Sequence, residues 1–521
     1  MKPINSIYVV GGGSAGAMTA CTLKKVFPEK DIRIIQSPKI ATVGVGESTL
    51  ETINGWLALM GIEDKDFMKE CDASYKLSIR FEDFYQKNDG GFHYPFGLPY
   101  LAQNLVRAND WYFKKFGYPD TPISDYTNCL YPNMALINEN KITGAPILPN
   151  WTLKKNVAYH FDATKFGNWL KEKYFRRLGG RIVSEEIIDI TRHEDGSIKS
   201  LILNTGDGHH NNEISADLYI DCTGFKSLLL GYTLKEPFES YGEMLPNNSA
   251  WATKKPYKNK EKELVGYTNC KAVENGWIWN IPLWSRMGTG YVYSDKYISD
   301  EDALEQFKSH IGGEDLEFKN IKMRIGIHKR LWVKNVCAIG LSAGFIEPLE
   351  SNGLLSVHEF LVHLINVLKK NTISEFAKQH FNISCRRMYN GFAEFVALHY
   401  ALSDRTDTEY WRDIQKKEYH IEERFFDEMS DFQGAFKHKM SRFEYPTEGG
   451  LHCIATGMNW FPTSFETIQY YLANSDMDYY EKEWQPVIDR LNERKKHWKE
   501  LVKDCPTLYE YLKKNIYNDT H

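Results

Sequence analysis

Hydrophobic and polar positions change their period at a few points along this chain, and those points mark its elements. INSIYVVGGGSAGAMTACTLKKVFP opens as a short apolar run from Ile4, passes a glycine turn and continues as a helical pattern; DIRIIQ follows as a second strand. Residues 216–230, ADLYIDCTGFKSLLL, form an apolar strand ending in Asp221, Thr223 and Gly224, and VKNVCAIGLSAGFIEPLESNGLL repeats strand, glycine turn and helix around Gly340. After Leu354 the period turns helical, in SVHEFLVHLINVLKK and again in WQPVIDRLNERKKHWKELVKD. The pattern predicts an α+β chain. A strand–turn–helix unit occupies residues 1–360, and a mostly helical lobe integrated with it occupies residues 361–521. The charges of NERKKHWKE read as a solvated helix face.

Length and charge narrow the classes. A chain of 521 residues exceeds one compact core and suggests two lobes or one large interwoven domain. With 64 basic and 69 acidic side chains the net charge is −5, so no general positive field exists for nucleic acid or an anionic membrane. No window resembles a membrane span, and the first strand begins by Ile4, which leaves no room for a signal peptide; a cytoplasmic protein is expected. The nine cysteines are scattered without a C-x-x-C pair, so neither a disulfide framework nor a metal site is expected.

Gly11-x-Gly13-x-x-Gly16 stands at the first strand–helix junction, where glycines allow a tight bend, close approach of a diphosphate and close helix–strand packing. Backbone at Ser14 and Ala15 opens the helix that faces the phosphates. Gln36 ends the second strand where an acidic residue would hold the adenosine ribose; its neutral amide predicts a weaker grip. With the later stations at Asp221–Gly224 and at Gly340 and Leu341, FAD is favoured over NAD.

The resemblance then becomes specific. Trp277-Ile278-Trp279-Asn280-Ile281-Pro282 matches a W-x-W-x-I-P motif, supported by GVGESTL (44–50), AYHFDATKFGNWL (158–170), HYALSDRTDTEYW (399–411), SYKLSIRFEDF and EPLESNG. From residue 4 to at least Trp411 the chain resembles a flavin-dependent halogenase of the tryptophan halogenase family. The resemblance implies a p-hydroxybenzoate hydroxylase-like FAD-binding domain, with substrate-facing segments at about 90–150 and 235–295. It also implies that reduced FAD, supplied by a separate flavin reductase, reacts with O₂ to a C4a-hydroperoxide that oxidises halide. The hypohalous acid then travels to an electron-rich aromatic such as an indole or phenol. Lys76 and Glu350 match the family's catalytic pair. Asn352 and Gly353 match its halide-binding backbone, Ser351 lines the passage between the two sites, and the strap of residues 37–48, with Val43 and Glu47, meets the flavin.

Trp277 and Trp279 share one face of an extended stretch and read as a wall keeping the aromatic from direct hydroxylation; ordinary core tryptophans are the plainer reading. Taken alone, Lys76 is a solvated strand lysine and Glu350 a charge at a helix start. If the two share a cleft, mutual attraction should raise the lysine's pKa and lower the glutamate's. Tyr94, Phe96, Leu451 and His452 are the expected substrate contacts, with Leu451 and His452 where free-tryptophan enzymes carry adjacent tyrosines. Two rivals stand beside this reading: an FAD-dependent aromatic monooxygenase and a non-enzymatic flavin-binding protein. The sequence leaves monomer and homo-oligomer open.

Overall fold

The computed structural model describes residues 4–39, 46–100, 110–204, 211–313, 315–370, 373–417, 419, 447–460 and 477–518. One sheet runs Val336–Ala338, Leu218–Asp221, Ser6–Val10, Asp31–Gln36 and Arg181–Ser184, all parallel, with Trp332–Val333 antiparallel at its edge. Parallel strands are covered on both faces, which is why SIYVV is apolar at almost every position rather than alternating. The helix Ser14–Val26 crosses over between the first two strands and carries Lys24 and Lys25 in its last turn, where cations suit the dipole. Pro28, just past its end, prevents continuation.

A second sheet orders Lys319–Lys322, Ser249–Lys255, Met287–Tyr293, Gly276–Pro282, Tyr267–Val273, Ser78–Glu82 and Gly91–Pro95. Only the pairing of Tyr267–Val273 with Ser78–Glu82 is parallel. A small third sheet joins Glu47–Ser48, Ala158–Phe161 and Ser74–Lys76. SYKLSIRFEDF therefore breaks at Leu77: its first strand belongs to the small sheet and its second to the large one. Lys76 sits at that break, between the two layers.

The helices are interleaved with the sheets. Leu355–Leu368 packs on the crossover helix Ser14–Val26 and on Glu375–Ala401, so residue 360 lies within a helix that joins the two predicted units. Ser374 caps the 27-residue Glu375–Ala401 by accepting from Ala377 N, and Thr408 caps Glu409–Lys416 in the same way. Met477–Leu501 contains Pro486 and packs on Asp110–Gly117. Near the chain end Tyr517 stacks on Trp284 with ring centroids 4.1 Å apart, which ties the last helical turns to the large sheet. No helix among the described residues is long and apolar enough to cross a membrane. All nine cysteines are free thiols.

Candidate active site

The glycine turn is shaped by close approach. Gly11 has φ +116°, and a Cβ there would lie 2.2 Å from Cys222 O; one on Gly16 would lie 1.9 Å from Gly11 O. Only glycine fits either place. The helix that starts at Ser14 has Gly13 as its N-cap, no side-chain cap and no acid in its first turn, so the start of the helix is open to an anion. Gly340, at φ +71°, brings the late turn against this one: its Cβ would meet Ala15 Cβ at 2.9 Å. The first and third glycine stations are thus one cradle, and its backbone fits a dinucleotide cofactor. The middle station lies against both, through Cys222 beside Gly11 and Gly224 O beneath Ser342 Oγ. Asp221 accepts from Thr223 N, Leu229 N and Leu230 N, and so turns the chain after its strand. Gln36 accepts a hydrogen bond from Lys171 Nζ at 2.9 Å and donates to Ser184 Oγ. Val43 lies outside the described residues.

Beyond the cradle a second cluster is assembled from distant segments. Lys76 is fully buried; its Nζ donates to Thr49 O at 2.9 Å and to Ser351 Oγ at 2.7 Å, and stands 5.1 Å from the centre of the Phe96 ring. Burial pushes its pKa down to about 7, with Cys270 and Glu350 opposing. Glu350 is also fully buried, and burial raises its carboxyl above the usual range against the pull of His399 and Lys76. The expected mutual stabilisation of two charges is therefore corrected. Loss of water acts on each group more strongly than the partner does, because the two form no direct ion pair.

The close partner of Glu350 is His399, whose Nε2 lies 3.0 Å from Oε1. At that distance the two side chains, both fully buried, are within hydrogen-bonding reach. His399 Nδ1 faces Val396 O at 3.1 Å, and a carbonyl only accepts, so Nδ1 carries a proton. Nε2 is then the ring atom that faces Glu350, and since two lone pairs repel at 3.0 Å, the two groups hold one proton between them.

Ser351 joins the two halves. It has φ +58°, an uncommon left-handed conformation for a residue with a side chain, and closes the short turn Pro348–Glu350. That turn carries Glu350, while Ser351 Oγ accepts from Lys76 on the strand Ser74–Lys76. Ahead of it, Glu347 accepts from Trp277 Nε1 at 3.3 Å, from Tyr400 Oη at 2.5 Å and from Asn247. Trp277 therefore stands directly behind the same turn, with Trp279 beside it, 6.1 Å away between ring centres.

A family model described as tryptophan halogenase matches residues 6–475. The chain belongs to the tryptophan halogenase family. It is 32% identical over 539 residues to the 7-chloro-L-tryptophan 6-halogenase KtzR of Kutzneria sp. (strain 744), covering 97% of this chain and 98% of that one. The crystal structure of the tryptophan 6-halogenase SttH from Streptomyces toxytricini superposes with a TM-score of 0.82 at 30% identity, covering 98% and 99% of the two chains. The apo structure of VirX1 superposes with a TM-score of 0.88 at 36% identity, covering 99% of this chain and all of that one. This tryptophan halogenase family member is thus a flavin-dependent halogenating enzyme with an α+β flavin unit and helices packed around it, and neither rival reading is favoured.

Within this halogenase the remaining predicted residues fall into two groups. Asn352 and Gly353 follow Ser351 at the entry to Leu355–Leu368, and a Cβ on Gly353 would lie 3.2 Å from Glu47 Oε2. Loss of water pushes the Glu47 carboxyl up to about 7. Tyr94 meets Phe96 and Phe395 edge-on, at 6.1 and 6.4 Å, and its ring fills the space over Gly450. Gly450 shares the helix Thr447–Gly457 with Leu451 and His452, both buried, and burial takes His452 down to about 4.

Sequence reasoning did not single out His160, Thr268, Glu347, Phe395 or His399. His160 and His399 lie inside AYHFDATKF and HYALSDRTDTEYW, the segments that carried the resemblance, and a buried histidine in a matching segment was the available signal. Glu347 likewise opens EPLESNG, whereas Thr268 gave no signal.

Proposed function

We propose that this halogenase delivers hypohalous acid to an uncharged, electron-rich aromatic, an indole or phenol, in preference to free tryptophan. The geometry of Lys76 carries the reading. Two of its hydrogen-bonding directions are taken by Thr49 O and Ser351 Oγ, leaving one position on Nζ toward the Phe96 side. With a pKa near 7 that position holds either a third N–H, which can donate to hypohalous acid and aim its electrophilic halogen, or a lone pair, which can accept the halogen. Bound FAD, reduced by a separate flavin reductase, supplies with O₂ the oxidising power for halide. In this reading Gly11, Gly13, Ser14, Ala15 and Gly16 hold its diphosphate, Gln36 its ribose, and Gly340, Leu341 and Glu47 its ring end. Asn352 and Gly353 hold the halide through backbone N–H groups. Trp277 and Trp279 exclude the aromatic from the flavin.

Glu350 takes the proton that the ring loses on substitution, with the shared proton then resting on His399. Tyr94, Phe96, Leu451 and His452 line the aromatic's side. Leu451 has no charge and His452 is neutral at pH 7, so the zwitterion of free tryptophan finds no partner among them. Bromide and iodide are better substrates than chloride, being more easily oxidised. The test is mass spectrometry of an aromatic panel incubated with FAD, a flavin reductase, NADH and each halide. Halogenated indoles or phenols with the highest specificity constants are expected. Free tryptophan with chloride ranking first would overturn the substrate and halide assignments, and oxygenated product without halide would overturn the chemistry.

A further inference from the structure

Lys76 is the end of a buried chain of hydrogen bonds. Its Nζ reaches Ser351 Oγ at 2.7 Å; Ser351 Oγ lies 2.9 Å from Ser48 Oγ; Ser48 Oγ lies 2.7 Å from Thr268 Oγ1. Thr268 Oγ1 is 2.8 Å from His160 Nε2, and His160 Nδ1 is 3.3 Å from Ser74 Oγ, which also meets Pro282 O. All of these side chains are buried, and they come from segments spread between residues 48 and 351.

The two ends fix the direction of every proton in the chain. Pro282 O has no hydrogen to give, so Ser74 donates to it, and the Ser74 oxygen accepts from His160 Nδ1–H. A histidine this buried and this near Lys76 is held neutral, well below its ordinary pKa, first by burial and then by the lysine. Its Nε2 is then a lone pair, to which Thr268 must donate. A hydroxyl has one proton, so Thr268 accepts from Ser48, Ser48 from Ser351, and Ser351 from Lys76. The chain has one polarity, with every oxygen facing Lys76.

We propose that Thr268 and His160 are positioning residues: they lock Ser351 as an acceptor toward Lys76 and so reserve one face of Nζ for the halogenating species. The assignment of that face rests on the halogenation reading; the polarity of the chain does not. Break the chain at Thr268 and the hydroxyls of Ser48 and Ser351 can reverse. Ser351 then turns its own proton to the amine, which favours the neutral amine and lowers the lysine's pKa. The other titratable groups around Lys76 are Cys270 on Tyr267–Val273, Glu350 with His399 behind it, and His160 on Ala158–Phe161. Thr268→Val alters none of them in charge.

Two measurements test this. The first needs no cofactor: ¹⁵N NMR of histidine-labelled enzyme, with His160 assigned through His160→Gln, should show the Nδ1–H tautomer with Nε2 unprotonated from about pH 6 to about pH 9. An Nε2–H tautomer, or a ring that protonates in that range, overturns the polarity. The second is the pH profile of kcat for aryl halide formation. In Thr268→Val the inflection of the wild-type profile should move down by at least about half a unit, and Thr268→Ser, which keeps the hydroxyl, should restore it. A Thr268→Val profile that superposes on the wild type overturns the positioning role. Absence of aryl halide from the wild type overturns the halogenation reading alone, since the NMR result stands apart from it.

Discussion

At the glycine turn the chain presents backbone rather than side chains. Gly11, Gly16 and Gly340 each sit where a Cβ would collide with main chain or with Ala15, and the reward is an uncapped helix start in the open. At Lys76 it does the reverse: side chains from distant segments converge in the buried interior, and two ionisable groups have their pKa values moved away from the ordinary range. A backbone site needs only the right residue at each bend, and it keeps its form whether or not a ligand is there. A buried charge site depends on every neighbour, since each lost hydrogen bond exposes the cost of burial. The first kind of site should tolerate side-chain change around it; the second should not.

The strongest break is at the lysine itself. Lys76→Ala should lower aryl halide formation by at least about a hundredfold, while FAD binding and halide oxidation, which we propose for the glycine cradle and the Asn352–Gly353 turn, stay near wild type. Product analysis beside a halide-oxidation assay checks it, and full halogenation by the variant would remove Lys76 from the mechanism. Glu350→Gln keeps the volume but removes the proton acceptor, and a loss of about ten- to a hundredfold in kcat is expected. A normal rate there would leave His399 without its proposed partner in proton removal.

The same comparison predicts a conflict between stability and activity. Lys76 in the folded chain has its pKa lowered to about 7. Between that value and the unfolded value near 10.5 the unfolded chain binds more protons, so this lysine makes stability rise with pH across the window. Lys76→Met removes the buried amine. It should therefore stabilise the inactive enzyme at pH 7 by on the order of a few kcal/mol, with the gain shrinking as pH approaches 10. Urea unfolding at two pH values measures it. A variant less stable than wild type at neutral pH would show that the two hydrogen bonds of Lys76 outweigh its desolvation.

Much of this contrast was legible beforehand, and unevenly. A glycine needed for a bend is a local fact, so Gly11, Gly13, Gly16 and Gly340 announced the cradle, and the alternation in GWIWNIPL placed both indoles on one face of a strand. The helices after Leu354 followed from period alone, although the first of them packs on the flavin unit. The chemistry of the second site was less visible. Lys76 and Glu350 could be paired only through the family likeness, and their pKa shifts came out opposite to expectation because burial is a property of the assembled fold. Thr268 carries no signal as a letter. It matters because it falls between Ser48 and His160 in space.

The smallest expected effect lies at the cradle, where side chains count least. Gln36 was expected to face the ribose with a free amide oxygen, but that oxygen already accepts from Lys171 Nζ at 2.9 Å, and it lies 2.0 Å from where a Cβ on Gly12 would stand. A ribose hydroxyl must therefore share it with an ammonium group. Glutamate would fill the same space, keep the lysine and offer lone pairs to spare, and a hydrogen bond to a charged acceptor exceeds a neutral one by about 1 kcal/mol. Gln36→Glu should accordingly tighten FAD binding by roughly fivefold, part of the gain being spent on the closer pair with Lys171. Fluorescence titration of oxidised FAD decides it: equal affinity in the two proteins would mean that the ribose never reaches position 36, and that the backbone of the turn holds the cofactor without it.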